Sequence, residues 1–395
     1  MAHSTEELLF QLFAIFVTAK LAGEIFERLR LPAVLGEMLA GVALGPYAFG
    51  LIRPVDTIHS LSEIGAIFVL FLAGMQTSPQ DLIRVGRKAL VVATVGVIVP
   101  FVLGFLYVYL RAQGAIEATF VGAAMVATSV AITARVLGDL GVLATPSARI
   151  ILGAAVFDDI LGMVLLAVVT GLASRGRIEW VHLGILAAEA IIFTVFMLFF
   201  GSRMIRPLRH GVQRLSTNDA GLLLSLAICM LLSWLAAKIG MAGIIGAFFA
   251  GLIFADYAPE WNLLPRVQAI TDFLGPFFFF FIGSQLDIRL FQVGILVPAM
   301  VVSVLAVASK VIGCGLPMIG EGLHPSLRVG VGMMPRGEVA LIVALVGLNS
   351  GIISQSTYAL VVFMTVVTTI LAPPLLRYLF RMEGRAAPPA AGPLP

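Results

Sequence analysis

The fold class this sequence predicts is an all-α polytopic membrane protein. It would have 13 transmembrane helices in two inverted six-helix repeats plus a linker helix, with two crossed discontinuous helices. Three observations predict it. The chain of 395 residues is 60% hydrophobic and 12% charged, with a mean hydropathy of +1.05. A soluble domain carries about 25% charged residues, so most of this surface must face lipid. Apolar runs of about 20 residues recur along the whole length, enough to span a hydrocarbon core. Lastly, segments of the first half reappear in the second at a nearly constant offset.

Apolar runs punctuated by Gly, Pro and charge place the first six spans near 7–28, 32–48, 59–76, 88–110, 117–138 and 147–173. Those that follow fall near 178–204, 218–238, 241–257, 266–285, 291–316, 326–349 and 355–380. The first span begins within MAHSTEELLF, an acidic start unlike a cleaved signal peptide, and ends at Arg28. The second opens on Pro32, the fourth lies between Lys88 and Arg111, and the last closes at Arg381. Of the 25 Lys and Arg, only Arg53, Arg111, Arg175, Arg177, Lys238 and Arg289 fall in loops and span ends on the side of the N-terminus. Clusters such as Arg84, Arg87 and Lys88, or Arg203, Arg206, Arg209 and Arg214, fall on the other. The positive-inside rule then puts the N-terminus outside and the C-terminus in the cytoplasm. Lys20 lies close enough to its helix end to snorkel, whereas Lys310 and Arg336 stay inside spans. Cys229 and Cys314 provide no disulfide framework, and no pair of the five histidines has metal-ligand spacing.

Residues 33–45, AVLGEMLAGVALG, align with 243–255, GIIGAFFAGLIFA. Gly74-Met75-Gln76 aligns with Gly283-Ser284-Gln285, and Thr128 to Ile132 with Gly337 to Leu341. The offsets are 210, 209 and 209 residues. Any one match is weak in apolar, glycine-rich sequence, but a shared offset across three spans argues for duplication. Spans 1–6 then pair with 8–13, and because span 1 runs inward and span 8 outward the halves are inverted, an architecture of secondary transporters. Corresponding interruptions fit it. Span 5 carries ATSVAIT, whose hydroxyls can serve freed backbone groups, and span 12 carries MMPRGEV, where Pro335 and Gly337 break the hydrogen-bond ladder. An ordinary proline kink is the simpler alternative.

The chemistry gathers at AAVFDDILG. Asp158 and Asp159 sit with no other charge between Arg149 and Arg175. They lie about 15 Å from the interface at 1.5 Å per residue, and Lys310 reaches a similar depth. Left unpaired, these three charges would cost about 7–10 kcal/mol on insertion scales. Adjacent helical residues point about 100° apart, so one carboxylate can face a partner such as Lys310 while the other faces a cavity. A carboxylate there can hold a proton or a small hard cation, which wants oxygen ligands. That is the chemistry of exchange. Thr128 and Ser129 can add hydroxyl or carbonyl oxygens. Arg336 and Glu338 at the second break, with Arg135, can form a charge network neutralising the open helix ends, as structural support or in ion handling. A buried salt bridge that merely fixes packing is the bland alternative for Asp158, Asp159 and Lys310.

GAAVFDDILG, VATSVAITARVL, ASKVIG and GMMPRGEVALIVA together resemble the bacterial monovalent cation:proton antiporters, in the NapA-type branch with paired aspartates. The resemblance covers nearly the whole chain and implies the NhaA-like fold. It also implies that Asp159 is the principal cation and proton site, with sodium held at Asp159 and Asp158. Asp158 would pair with Lys310 in one protonation state, and Thr128 and Ser129 would line the unwound segment. It further implies a homodimer and electrogenic, elevator-like exchange of Na⁺ or Li⁺ for H⁺ in the bacterial inner membrane. No cofactor beyond the transported ions, no catalytic residue and no nucleic acid are expected. The scaffold would comprise 1–76 and 215–288, the core 77–175 and 289–382, the linker helix 176–214, and a disordered tail 383–395. Potassium/proton exchange is the alternative within the superfamily. An intramembrane aspartyl protease needs its carboxylates on facing helices, which two adjacent ones are not, and no HExxH or GxSxG is present.

Overall fold

The structure, a computed structural model, describes residues 5–29, 31–52, 56–77, 79–111, 114–175, 180–212, 219–285 and 293–384. Among these residues the regular structure is helical throughout. In chain order the first eight helices are α1 (Thr5–Arg28), α2 (Ala33–Leu44), α3 (Asp56–Met75), α4 (Pro79–Tyr109), α5 (Ala115–Val126), α6 (Val130–Asp139), α7 (Pro146–Arg175) and α8 (Trp180–Val212). Then come α9 (Ala220–Lys238), α10 (Gly243–Phe254), α11 (Leu263–Ser284), α12 (Val293–Gly315), α13 (Leu323–Gly332), α14 (Glu338–Asn349) and α15 (Gln355–Gly384), with a 3-10 turn at Leu316–Glu321. Nine helical segments among the described residues are long and apolar enough to cross a membrane. Large apolar side chains such as Leu9, Phe10 and Phe13 of α1 and Ile191, Ile192 and Phe200 of α8 lie exposed. Such faces are stable against lipid rather than water.

Several helices outrun the apolar stretches that announce them. α4 begins at Pro79, nine residues before the expected start, and α8 runs on to Val212. Backbone hydrogen bonding does not require apolar side chains, so a helix can project past the hydrocarbon with Arg84, Arg87 and Lys88 along its first turns. α2 and α10 are shorter than expected. Their 12 residues span about 18 Å, less than a bilayer core of about 30 Å. The tail expected to be disordered lies, from Arg385 onward, outside the described residues.

The packing falls into two groups of helices. α3 lies against α10 and α11, α2 against α1 and α11, and α9 against α10. In the second group α4 lies against α5, α7 and α12, α12 against α13 and α15, and α14 against α5 and α15. The groups touch where α6 lies on α3, and where α6 and α15 reach α2.

Glycine makes the first group's crossings possible. A Cβ on Gly41 would stand 2.0 Å from the Phe280 carbonyl oxygen, and one on Gly283 would stand 1.9 Å from that of Met38. At the other crossing a Cβ on Gly251 would stand 2.1 Å from the Phe71 carbonyl oxygen, and one on Gly74 would stand 2.2 Å from that of Phe248. Each pair in the first crossing recurs in the second at an offset of 209 or 210 residues. Backbones meeting this closely leave no room for any side chain, so these positions admit glycine alone.

Candidate functional site

Two helix breaks meet inside the second group. α5 stops at Val126 and α6 starts at Val130, while α13 stops at Gly332 and α14 starts at Glu338. The Ser129 N–H donates to the Pro335 carbonyl at 2.8 Å, the Thr128 hydroxyl to that of Met333 at 3.2 Å, and the Thr133 hydroxyl to that of Gly332 at 2.7 Å. The freed carbonyls of α13 are thus satisfied by the facing break, as an irregular backbone away from water requires. Gly337 is needed for the approach, since a Cβ there would stand 2.7 Å from both Cβ and Oγ of Ser129. Thr128 and Ser129 therefore sit at the unwound segment, and the buried Ser129 hydroxyl has no hydrogen-bond partner among the described residues.

Arg336 is fully buried in the second break. Its guanidinium donates to the carbonyls of Met334 at 3.0 Å and of Met333 and Ala306 at 3.4 Å, and the Thr369 hydroxyl donates to its own carbonyl at 2.5 Å. A cation at the carbonyl end of α13 opposes the negative end of that helix's dipole. Among the described residues Arg135 pairs with other carboxylates. Its Nε lies 3.0 Å from Asp139 on the next turn of α6, and a terminal nitrogen lies 3.7 Å from Asp272 of α11. The Glu338 side chain lies outside the described residues.

Asp158 and Lys310 come together across α7 and α12. The Lys310 ammonium donates to Asp158 Oδ1 at 2.8 Å, and both side chains are essentially excluded from solvent. Neither charge would be tolerable there alone, and their pairing offsets the desolvation of both. Arg336 lies within Coulombic range of Asp158. Gly96 of α4 makes room for Cys314, one turn on from Lys310: a Cβ there would stand 2.3 Å from Cys314 Sγ, and at an ordinary contact of 3.7 Å from Lys310 Nζ. Sequence reasoning missed Gly96 because nothing separates it from the other glycines of a 40-glycine chain. Asp159 points elsewhere, as the 100° rotation demands. It is only partly buried, and its Oδ2 accepts the Ala242 backbone N–H at the head of α10 at 3.3 Å.

A recess of about 180 Å³ opens between the groups, where the ends of α3 and α6 meet the start of α11. Gln76, Arg135, Asp139, Gln268 and Thr271 give it a polar lining. Glu37, buried in α2, is within Coulombic range of Arg135, Asp139, Asp272 and Lys20. Sequence reasoning assigned nothing to Glu37, Asp139 or Asp272, since a charge near a span end looks like an ordinary interfacial residue. Thr133 had a signal, its place in the ATSVAIT run.

A paired carboxylate beside a half-buried one, in a helix group that also holds two facing helix breaks, suits a site that takes up a small cation or a proton and releases it again. Fold and site together define an ion-coupled secondary transporter. Residues 13–381 match the family described as "Sodium/hydrogen exchanger, transmembrane", and the chain belongs to that family. It is 35% identical to the high-affinity Na(+)/H(+) antiporter NhaS3 of Synechocystis, across 94% of this chain and 90% of that one. It is 33% identical to the Na(+)/H(+)-K(+) antiporter GerN of Bacillus cereus, across 96% and 98%. Its fold is similar to that of the sodium proton antiporter MjNhaP1 from Methanocaldococcus jannaschii. That match has a TM-score of 0.70 at 21% identity and covers 95% of this chain and 98% of the other.

Proposed function

We propose that this protein exchanges sodium, or lithium, for protons at Asp159, with the Asp158–Lys310 pair coupled to it. The observation that carries the reading is the neighbouring carboxylates' unequal burial. Asp158 is spent on Lys310 in a dry environment, while Asp159 keeps access and can bind a hard cation. Proton and sodium compete for one charge, so each can be carried only when the other is absent. Sodium/proton exchange is also what the names of NhaS3 and GerN state for those relatives.

In this reading the chain has 13 spans in two inverted halves around α8. The recurrence of the glycine crossings at 209 or 210 residues supports the duplication. The first helix group acts as a scaffold in a homodimer, and the second as a core that slides against it to alternate access. The N-terminus lies outside and the C-terminus in the cytoplasm, so the recess at Asp139 opens inward. Transport is electrogenic, with Lys310 releasing its partner as protons are exchanged. Potassium is the second reading, supported by the name of GerN and by a 27% identical relative in Bacillus subtilis, the K(+)/H(+) antiporter subunit KhtU.

The test is transport in proteoliposomes under an imposed pH gradient, adding sodium, lithium and potassium separately and reading internal pH and membrane potential. Sodium and lithium should collapse the gradient with a change in potential, and Asp159→Asn should abolish the response in a folded protein. A response to potassium alone selects the second reading, and full activity in D159N removes Asp159 from the mechanism.

A further inference from the structure

We propose that the hydrogen bond from the Ala242 backbone N–H to Asp159 is a latch that holds the cation-free carrier in place, and that sodium on Asp159 releases it. The inference rests on the exchange proposed above and adds to it how an empty site is kept from moving. Asp159 lies on α7, in the group of α4, α5, α7 and α12–α15, whereas Ala242 heads α10, in the group of α1–α3 and α9–α11. The contact, 3.3 Å from N to Oδ2, therefore ties the ion-binding carboxylate of one body to the backbone of the other.

Ala242 occupies the N-cap of α10, where the amides have no partner within the helix and the peptide dipoles sum to positive potential. An ionised carboxylate docked there makes a charge-assisted bond. A sodium ion on the carboxylate cancels its charge and competes for the same oxygen lone pairs. The bond to the amide then weakens when cargo is aboard. An empty site stays anchored and a loaded one is free to slide, which is the rule that makes a carrier an exchanger rather than a leak.

The other half of the fold supplies an independent observation. The N-cap of α2 is Pro32, with φ −62° and ψ 138°, and the N-cap of α10 is Ala242, with φ −62° and ψ 133°. The two positions are 210 residues apart and each precedes a 12-residue helix. At one backbone geometry, the position that meets Asp159 carries an N–H donor and its counterpart carries a residue that has none. Lys310 is bonded to Asp158, and Arg336 is bonded to the carbonyls of the helix break.

The test is Ala242→Pro, which deletes the donor at a φ proline already prefers, in a turn that Pro32 shows to accept it. Proteoliposomes at one alkaline pH are loaded with radioactive sodium, and efflux is compared into sodium-free and sodium-containing buffer. In the wild type external sodium should speed efflux about 10-fold, the effect of roughly 1.4 kcal/mol on the return of the empty carrier. In A242P that acceleration should fall below about 2-fold, as roughly expected once the anchoring bond is gone. Monodisperse A242P that keeps the wild-type acceleration overturns the latch, as does a variant in which only the apparent sodium affinity changes. If A242P does not fold, hydrogen exchange in the wild type decides. Sodium should speed exchange of the amides at the head of α10, and an unchanged rate overturns the proposal. Absence of any sodium-dependent proton movement in the wild type would instead remove the exchange reading beneath it.

Discussion

At the scale of single residues, the Asp158–Lys310 pair is where energy and function are hardest to separate. Removing one member of a buried pair leaves the other charge stranded, at a cost of about 3–5 kcal/mol, whereas replacing both with neutral groups is often nearly free. Lys310→Met should therefore lower stability by about 3 kcal/mol, and Asp158→Asn added to it should recover most of the loss. Denaturant unfolding in detergent, run as a double-mutant cycle, measures this. Simple additivity would show that the two side chains do not act as a pair. Ser129 gives the opposite pattern. Its buried hydroxyl lacks a partner among the described residues, so Ser129→Ala removes an unsatisfied polar group and should leave stability equal or higher. If that hydroxyl is held in reserve for the cation, the sodium KM in S129A rises by about tenfold, the worth of roughly one hydrogen bond. A variant that is less stable, with unchanged KM, would make Ser129 a packing residue.

At the scale of elements, the α2–α11 and α3–α10 crossings are made by backbones pressed together at glycine. Gly41→Ala must push α2 from α11, because its new methyl would lie 2.0 Å from a carbonyl oxygen that belongs to a rigid helix. Gly251→Ala does the same between α10 and α3. Each should cost about 1–3 kcal/mol, the usual penalty for overpacking, and the two should match each other because the crossings match. Gly86→Ala is the control, since nothing lies within 4 Å of its Cβ position. The substitution should stabilise α4 by up to about 1 kcal/mol through helix propensity alone. Thermal melting of the three purified variants checks all three, and equal melting of G41A and G86A would show that the α2–α11 crossing has slack.

At the scale of the whole molecule, two contacts that carry charge join the helix groups among the described residues. Arg135 of α6 reaches Asp272 of α11 at 3.7 Å on the rim of the recess, and Asp159 of α7 reaches the head of α10. If the groups slide during transport, both contacts must break in each cycle. Arg135→Cys with Asp272→Cys, joined by a short bifunctional maleimide, should arrest transport, while the unlinked double variant should still carry sodium. The native Cys229 and Cys314 are both buried and should react little. Full transport after complete cross-linking would mean that the relative motion of the groups is not the transport step.

The sequence by itself determined the helical, apolar character of the chain, the interruptions at ATSVAIT and MMPRGEV, and the need of one buried aspartate for a partner such as Lys310. In lipid each follows from a large energy: backbone groups must be satisfied within the span, proline and glycine interrupt that satisfaction, and a charge far from both faces must find its opposite. Tertiary structure alone decided what depended on distance between remote segments. The sequence groups Arg135 with Arg336 and Glu338, whereas the fold sets it beside Asp139 and Asp272. The close approach of Gly96 to Cys314, and the amide of Ala242 against Asp159, leave no mark in sequence. A missing side chain and a backbone N–H look alike at every position until the fold brings something up against them.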